Sequence, residues 1–493
     1  MLFNSIDFLI FFPVVVILYF VLPKKIRWVW LLASSAYFYM CWKARYIVLI
    51  GFSIAVTYLG SLLIQHLHKK QTRAGNQLAA VALFLVLFSN LSILFLFKYY
   101  GFFADTIRQL SQSTVQLPAL QLLLPIGISF YTFQALGYCI DVYRGTLPAE
   151  RNPFRYALFV LFFPQLVAGP IERAENLLPQ LTGTPNPFSF DEMRRGLLLM
   201  GWGLFTKMVI ADRLALFVDT VYADIAGTNG IYLLFATVLF ALQIYCDFNS
   251  YSTIARGAAQ VLGFRLMLNF DRPYFSLSLR EFWRRWHISL SSWFTDYIYI
   301  PLGGSKAGKA RHLFNLLLVF FISGLWHGAS WTFVIWGLWN GLWLCAETFY
   351  AKKLDKLQAS LRGTGKGLLL VAVRWLYTFA LILTGWVFFR ADTIPAALQV
   401  LTRIFTHTNI GALFCPAFFS LGLDAADWVV TGISLSLLLC VDIFSRKYDL
   451  REKILQLPLT LRWGVYLLLI LAIAVFGIYG PEYDNAAFIY FQF

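Results

Sequence analysis

LAAVALFLVLFSNLSILFLF, residues 78–97, is an uninterrupted run of twenty residues without a charge. Wound as an α-helix it is about 30 Å long, the thickness of the hydrocarbon core of a bilayer. Similar runs recur at 8–22, 233–245, 368–389 and 463–480. Hydrophobic residues make up 59% of the 493-residue chain and charged residues 13%, with a mean hydropathy of +0.67. Soluble domains run at about 45–50% apolar and about 25% charged. The reading is an all-α, polytopic integral membrane protein with about 11 transmembrane helices, chosen from roughly eleven to thirteen candidate segments. FPQLVAGPIERAENLLPQL, residues 163–181, is too broken by Pro and Gly for a plain span. It predicts half-helices or a re-entrant element, which persists at membrane depth only when buried in protein or lining a cavity.

The net charge of +15 is spread over loops between spans, so it is read as the positive-inside bias of a membrane protein and not as a nucleic-acid surface. Segments 351–366 and 446–462 each carry five Lys or Arg, 280–313 carries six, and 391–424 carries only Arg403. A consistent path puts the three basic loops in the cytoplasm and 391–424 outside. The last span then delivers the tail, 481–493, to the outer face. The N-terminal run has no basic region before it and is read as a retained span, not a signal peptide. The six Cys are scattered singly without a CxxC, so neither a metal site nor a disulfide framework is expected. No repeat or linker divides the chain, which reads as one membrane domain, 1–480, followed by the aromatic tail. The absence of matching broken segments in two halves argues against an inverted-repeat transporter.

Ionisable residues inside a membrane are functional candidates by default because lipid makes them costly. His327 lies in FFISGLWHGASWTFVIWGLWNG between two apolar aromatic segments, with Gly324 and Gly328 allowing close backbone approach or a helix break. His287 lies in REFWRRWHISLSSWFTDYIYIPLGG, and read alone it serves equally well as a structural hydrogen-bonding group. Arg284 and Arg285 beside it fit either snorkelling to lipid headgroups or contacts to an anionic donor such as coenzyme A. A neutral imidazole can take a proton from a hydroxyl as it attacks an activated acyl group. No GxSxG elbow or GxxxxGK[ST] loop is present, which leaves a serine hydrolase or an ATP-driven pump without support.

Four blocks, 123–145, 162–181, 269–305 and 324–337, resemble the membrane-bound O-acyltransferase family, in particular its bacterial alginate O-acetyltransferase branch. The resemblance implies a near-invariant His in a WHG context, here His327, and a second His or Asn, here His287, in a funnel or tunnel through the membrane. It implies a cytoplasmic acyl thioester, acetyl-CoA by analogy, and an acceptor hydroxyl entering from outside. Trp286, Trp326, Asp247 and Tyr251 are candidates for lining that tunnel or the donor site. At 246–257 the family more often has Gly and Asp where this chain has Ser250 and Thr253, and at 295 Thr replaces a common basic residue.

The tail, PEYDNAAFIYFQF, matches the F-x-Y-x-x-F pattern of some of these systems at Phe488, Tyr490 and Phe493. What the resemblance implies is a tyrosine that enters the outer funnel as an acyl carrier, anchored by the two Phe. The plain alternative is an interfacial aromatic belt. The expectation is an enzyme of the bacterial inner membrane that passes acetyl outward to an extracytoplasmic partner transferase and a polysaccharide. A D-alanyl transferase of the teichoic-acid type, served by a carrier-protein thioester, is the first rival. A transporter or flippase is the second.

Overall fold

The run at 78–97 lies mostly in the helix Arg73–Leu94, started by Thr72, whose side chain accepts from the Gly75 N–H at 3.0 Å. A π-helical turn, Phe95–Tyr99, carries it into Tyr100–Leu110. The computed structural model describes residues 1–112, 117, 118, 120, 122–479 and 488. Helix accounts for 76% of the structure and no strand occurs among the described residues. Among the described residues, six helices are long and apolar enough to cross a membrane: Ala44–Lys69, Arg73–Leu110, Gly230–Val261, Gly365–Arg390, Ala425–Phe444 and Leu459–Phe476. Two shorter apolar helices, Ile6–Val21 and Ile394–Thr406, accompany them. Among the six, Leu459–Phe476 is the most open. In Leu459–Phe476 none of the apolar window is buried, and Leu468 is 70% exposed. An apolar face that extensive is compatible with lipid and not with water. The chain is a multi-pass, all-helical membrane protein.

Backbone contacts divide the chain into two units, 1–200 with 251–267, and 201–250 with 268–493. In the first, helices Ile47–Lys69 and Arg73–Leu94 pack through small and polar side chains, as lipid-embedded helices do. The Ser53 hydroxyl donates to Asn90 Oδ1 at 2.6 Å, and the Tyr156 hydroxyl donates to Thr57 Oγ1 at 2.8 Å. The Pro- and Gly-broken stretch behaves as its composition predicts. Helix Pro153–Leu161 stops, residues 162–173 run as buried turns, and a new helix begins at Ala174. Its backbone is satisfied from within the protein: Gln134 and Gln165 side-chain amides both donate to Phe159 O, and Ser35 Oγ accepts from Phe163 N–H. Unpaired, such groups would each cost several kcal/mol in an apolar setting, on the order of 2–7.

The second unit is organised by a tight hairpin of helices, Lys309–His327 and Trp331–Ser360. Glycine permits the approach. A Cβ on Gly324 would fall 2.3 Å from Phe333 O, and one on Gly337 2.2 Å from Phe320 O. His327 is the last residue of its helix, which ends at Gly328, and Ser330 caps the next by accepting from Thr332 N–H. Two very short helices, Leu279–Arg285 and Ile288–Phe294, flank His287, and a π-helical turn, Thr295–Tyr299, follows.

Candidate functional site

His287 sits in the joint between those short helices with φ 44° and ψ 55°, a left-handed conformation. Such backbone disfavours any side chain other than Gly, Asn or Asp and costs about 1–3 kcal/mol. The surrounding chain enforces it. Ile288 N–H donates to Asn269 O at 2.9 Å. Asn269 Oδ1 accepts from both the N–H and the hydroxyl of Ser289, at 3.2 and 2.8 Å. A helix continuing straight from Arg285 would turn the imidazole elsewhere. The strained joint aims it into an aromatic enclosure, where it is 1% exposed.

The Phe248 ring meets His287 edge-on at 4.6 Å between centroids, and Trp326 lies at 5.7 Å. His327, 6% exposed, is 6.5 Å away, centroid to centroid. Trp326, Trp336 and Phe389 pack around His327 at 5.0, 4.9 and 5.4 Å. The two histidines, forty positions apart in sequence, are thus brought together by one helix terminus and one strained joint. A neutral imidazole in such a place is the form that can accept a proton.

A cavity of about 630 Å³, within the usual size of a small-molecule site, about 300–1,000 Å³, reaches His287, with His327 behind it and off its wall. Its wall runs from Arg280 and Arg284, both exposed, past Tyr299 and His312 to buried His287 and Ser323. The Tyr299 hydroxyl and His312 Nδ1 are hydrogen-bonded at 2.6 Å. Burial, then the nearby Arg280 charge, lower the His312 pKa from its ordinary value. The cavity is therefore lined by two exposed cations, Arg280 and Arg284, by one carboxylate, Asp296, and by the rings of Trp283, Phe294 and Phe320. An elongated anionic molecule with an apolar end fits a wall with that excess of positive charge.

The sequence candidates fall into distinct places. Arg284 lines the cavity, whereas Arg285 pairs with Glu281 at 2.7 Å. Trp286 is packed away against Phe282 and Trp386. Trp326 touches both histidines. Thr295 lines the cavity, its hydroxyl donating to Ser291 O. Tyr251 belongs to the other unit, against Phe3. Asp247 does not line the cavity; it pairs with Lys207, which also pairs with Asp212 at 2.8 Å. Phe488 is buried, while Tyr490 and Phe493 lie outside the described residues.

Arg280, Tyr299, His312 and Lys207 were not among those candidates. Lys207 could have been found: it stands with Asp212 and Arg213 in the apolar stretch GWGLFTKMVIADRLALF, under the same rule that singled out His327. Arg280 carries no such signal, because its position on the cavity wall depends on the turn at His287.

The membrane-bound O-acyltransferase family model matches residues 149–389. Over 409 residues the chain is 37% identical to a protein of Azotobacter vinelandii described as "Probable alginate O-acetylase AlgI", covering 82% of this chain and 78% of that one. It is 35% identical over 432 residues to the peptidoglycan O-acetyltransferase of Helicobacter pylori, covering 81% and 79%. Similarity to the teichoic acid D-alanyltransferase of Streptococcus thermophilus is 27% over 252 residues, covering 49% and 60%. With the family model matched and relatives alike over four-fifths of the chain, this protein is an acyltransferase and belongs to the membrane-bound O-acyltransferase family.

Proposed function

We propose that the protein transfers acetyl from a cytoplasmic thioester, acetyl-CoA, to a tyrosine of its own tail for O-acetylation of an extracytoplasmic polysaccharide. The observation that carries this reading is the His287–His327 pair, with His287 on the wall of a cavity that Arg280 and Arg284 also line. The alginate and peptidoglycan O-acetyltransferase relatives support acetyl as the group and a polysaccharide as the acceptor. The basic loops support an outer-facing tail in the inner membrane of a bacterium.

In this mechanism His327 accepts the phenolic proton of Tyr490, whose ordinary pKa of about 10 leaves it protonated at neutral pH. The phenolic oxygen attacks the thioester carbonyl carbon, forming the C–O bond as the C–S bond breaks. The proton held by His327 passes to the departing thiolate. His287 orients the carbonyl and supports negative charge on its oxygen. The aryl ester is more activated than an alkyl ester, so an extracytoplasmic partner transferase can pass the acetyl to a sugar hydroxyl and regenerate the phenol.

The test is mass spectrometry of the tail after incubating purified protein with acetyl-CoA. Acetyl on Tyr490, lost in Tyr490→Phe and in His327→Ala, is the expected result. Donor consumption without acetyl on the tail would overturn the carrier role and leave direct entry of acceptor hydroxyls. The teichoic acid relative favours a second reading, D-alanyl transfer from a carrier-protein thioester. Donor preference in detergent separates the two.

A further inference from the structure

Residue 488 stands twelve positions beyond the end of the last helix, Leu459–Phe476. Segments so placed are usually poorly ordered unless something ties them down. Here the Phe488 side chain is 1% exposed. Its ring faces the Lys207 ammonium, 4.2 Å from Nζ to the ring centroid. Lys207 is itself clamped by Asp212 and Asp247, and all three side chains are only 3–4% exposed. An aromatic face over a desolvated cation is a strong form of the cation–π contact.

The root of the same segment is held at the next residues of the chain. Ile478 N–H donates to Met208 O at 2.9 Å. Arg213, paired with Asp427, donates to Phe476 O at 2.8 Å. Positions 207 and 208 therefore hold both residue 488 and residue 478. They lie in the π-helical turn Thr206–Ala211, a distortion often found at functional sites because it re-aims side chains out of the helical register.

The turn is also coupled to the histidines by short links. Asp247, the partner of Lys207, precedes Phe248 on the helix Gly230–Val261, and Phe248 is the ring against His287. One helical step separates the carboxylate that clamps Lys207 from the wall of the His287 enclosure.

We propose that Lys207, clamped by Asp212 and Asp247, is the seat of the tail: it holds Phe488 and so limits where residue 490 can go. The proposal rests on the reading of Tyr490 as acyl carrier, because two residues of extended chain reach at most about 7 Å beyond the seat. Lys207 and Phe488 are positioning residues and touch no reacting atom. The seat requires an aromatic face at 488, since an aliphatic side chain of similar bulk offers the ammonium no quadrupole.

The experiment uses the full-length chain in detergent, digested from its C-terminus with a carboxypeptidase and followed by intact mass. Trimming of the wild type is expected to stall at Phe488. Phe488→Leu is expected to be trimmed past that point about 10-fold faster, the tenfold corresponding to a desolvated cation–π contact. Phe488→Trp, which keeps the ring, is expected to restore the stall. Equal trimming of wild type and Phe488→Leu, or failure of Phe488→Trp to restore it, would overturn the seat. A parallel arm measures acetyl on the tail from acetyl-CoA, with a fall of about 10-fold expected in Phe488→Leu. A stall without any acetylation of wild type would support the seat and sink the carrier. Full acetylation of Phe488→Leu would sustain the carrier and overturn the seat.

Discussion

Two groups of ionisable side chains lie buried in the same unit, and the protein treats them in opposite ways. His287 and His327 stand among Phe248, Trp326, Trp336 and Phe389, with a cavity that reaches His287. Lys207 stands between two carboxylates, and no open space is needed there. The difference follows from charge. An imidazole with an ordinary pKa of about 6.5 can be neutral at little cost, so an apolar enclosure leaves it free to exchange a proton. A lysine in the same enclosure would have to lose its proton, or be paired, to avoid a desolvation penalty of several kcal/mol. In the proposed reading the histidine site carries the chemistry and the lysine site holds the tail. Each is fed by a π-helical turn, Thr295–Tyr299 on the cavity wall and Thr206–Ala211 under Phe488.

Breaking the proton exchange should have the largest effect. His327→Ala is expected to lower the rate of acyl transfer by about 10³-fold, within the range for a lost general base. Size-exclusion behaviour should be unchanged, which a single-turnover assay run beside chromatography will check. If the lysine site is a holding site, Lys207→Met must instead act on stability. It leaves two buried carboxylates without their cation, at a cost of about 3–5 kcal/mol. The thermal midpoint in detergent should drop sharply and recover in part with Asp247→Asn added; no recovery would mean that the pair is not what matters.

Gly324→Ala tests whether His327 depends on the hairpin, because its Cβ would meet Phe333 O at 2.3 Å. The expected cost is about 1–3 kcal/mol of stability, accompanied by a fall in kcat larger than any change in donor KM. At the open end of the cavity, Arg280→Gln and Arg284→Gln should each raise the donor KM about 5-fold with kcat little altered, the scale of one charge-assisted hydrogen bond. Added salt should shrink that difference. The smallest effect belongs to the strained joint. His287→Asn should retain about 1 kcal/mol more stability than His287→Ala, since Asn tolerates left-handed backbone better. Equal melting temperatures would show that the conformation is not under strain.

The membrane class of this protein follows from residues 78–97 and their like, because an uncharged twenty-residue run has few other destinations. The break at 162–173 was legible too, since Pro and Gly act locally on the backbone whatever surrounds them. His327 was legible because a lone ionisable residue in an apolar run is conspicuous without any knowledge of its neighbours. The same argument reaches Lys207 and Asp212, but not the partners that lie far along the chain. Asp247 is forty positions away, and Phe488 a further 241. What the tertiary structure alone decided is which of the adjacent arginines faces the cavity, and which charges meet. Arg284 and Arg285 are chemically identical in sequence, yet one lines the cavity and the other pairs with Glu281. Consecutive residues of a helix point about 100° apart, so only the packed position of that short helix could separate them. Composition acts through the solvent and is written along the chain; pairing acts over a few ångströms and exists only once distant segments are brought into contact.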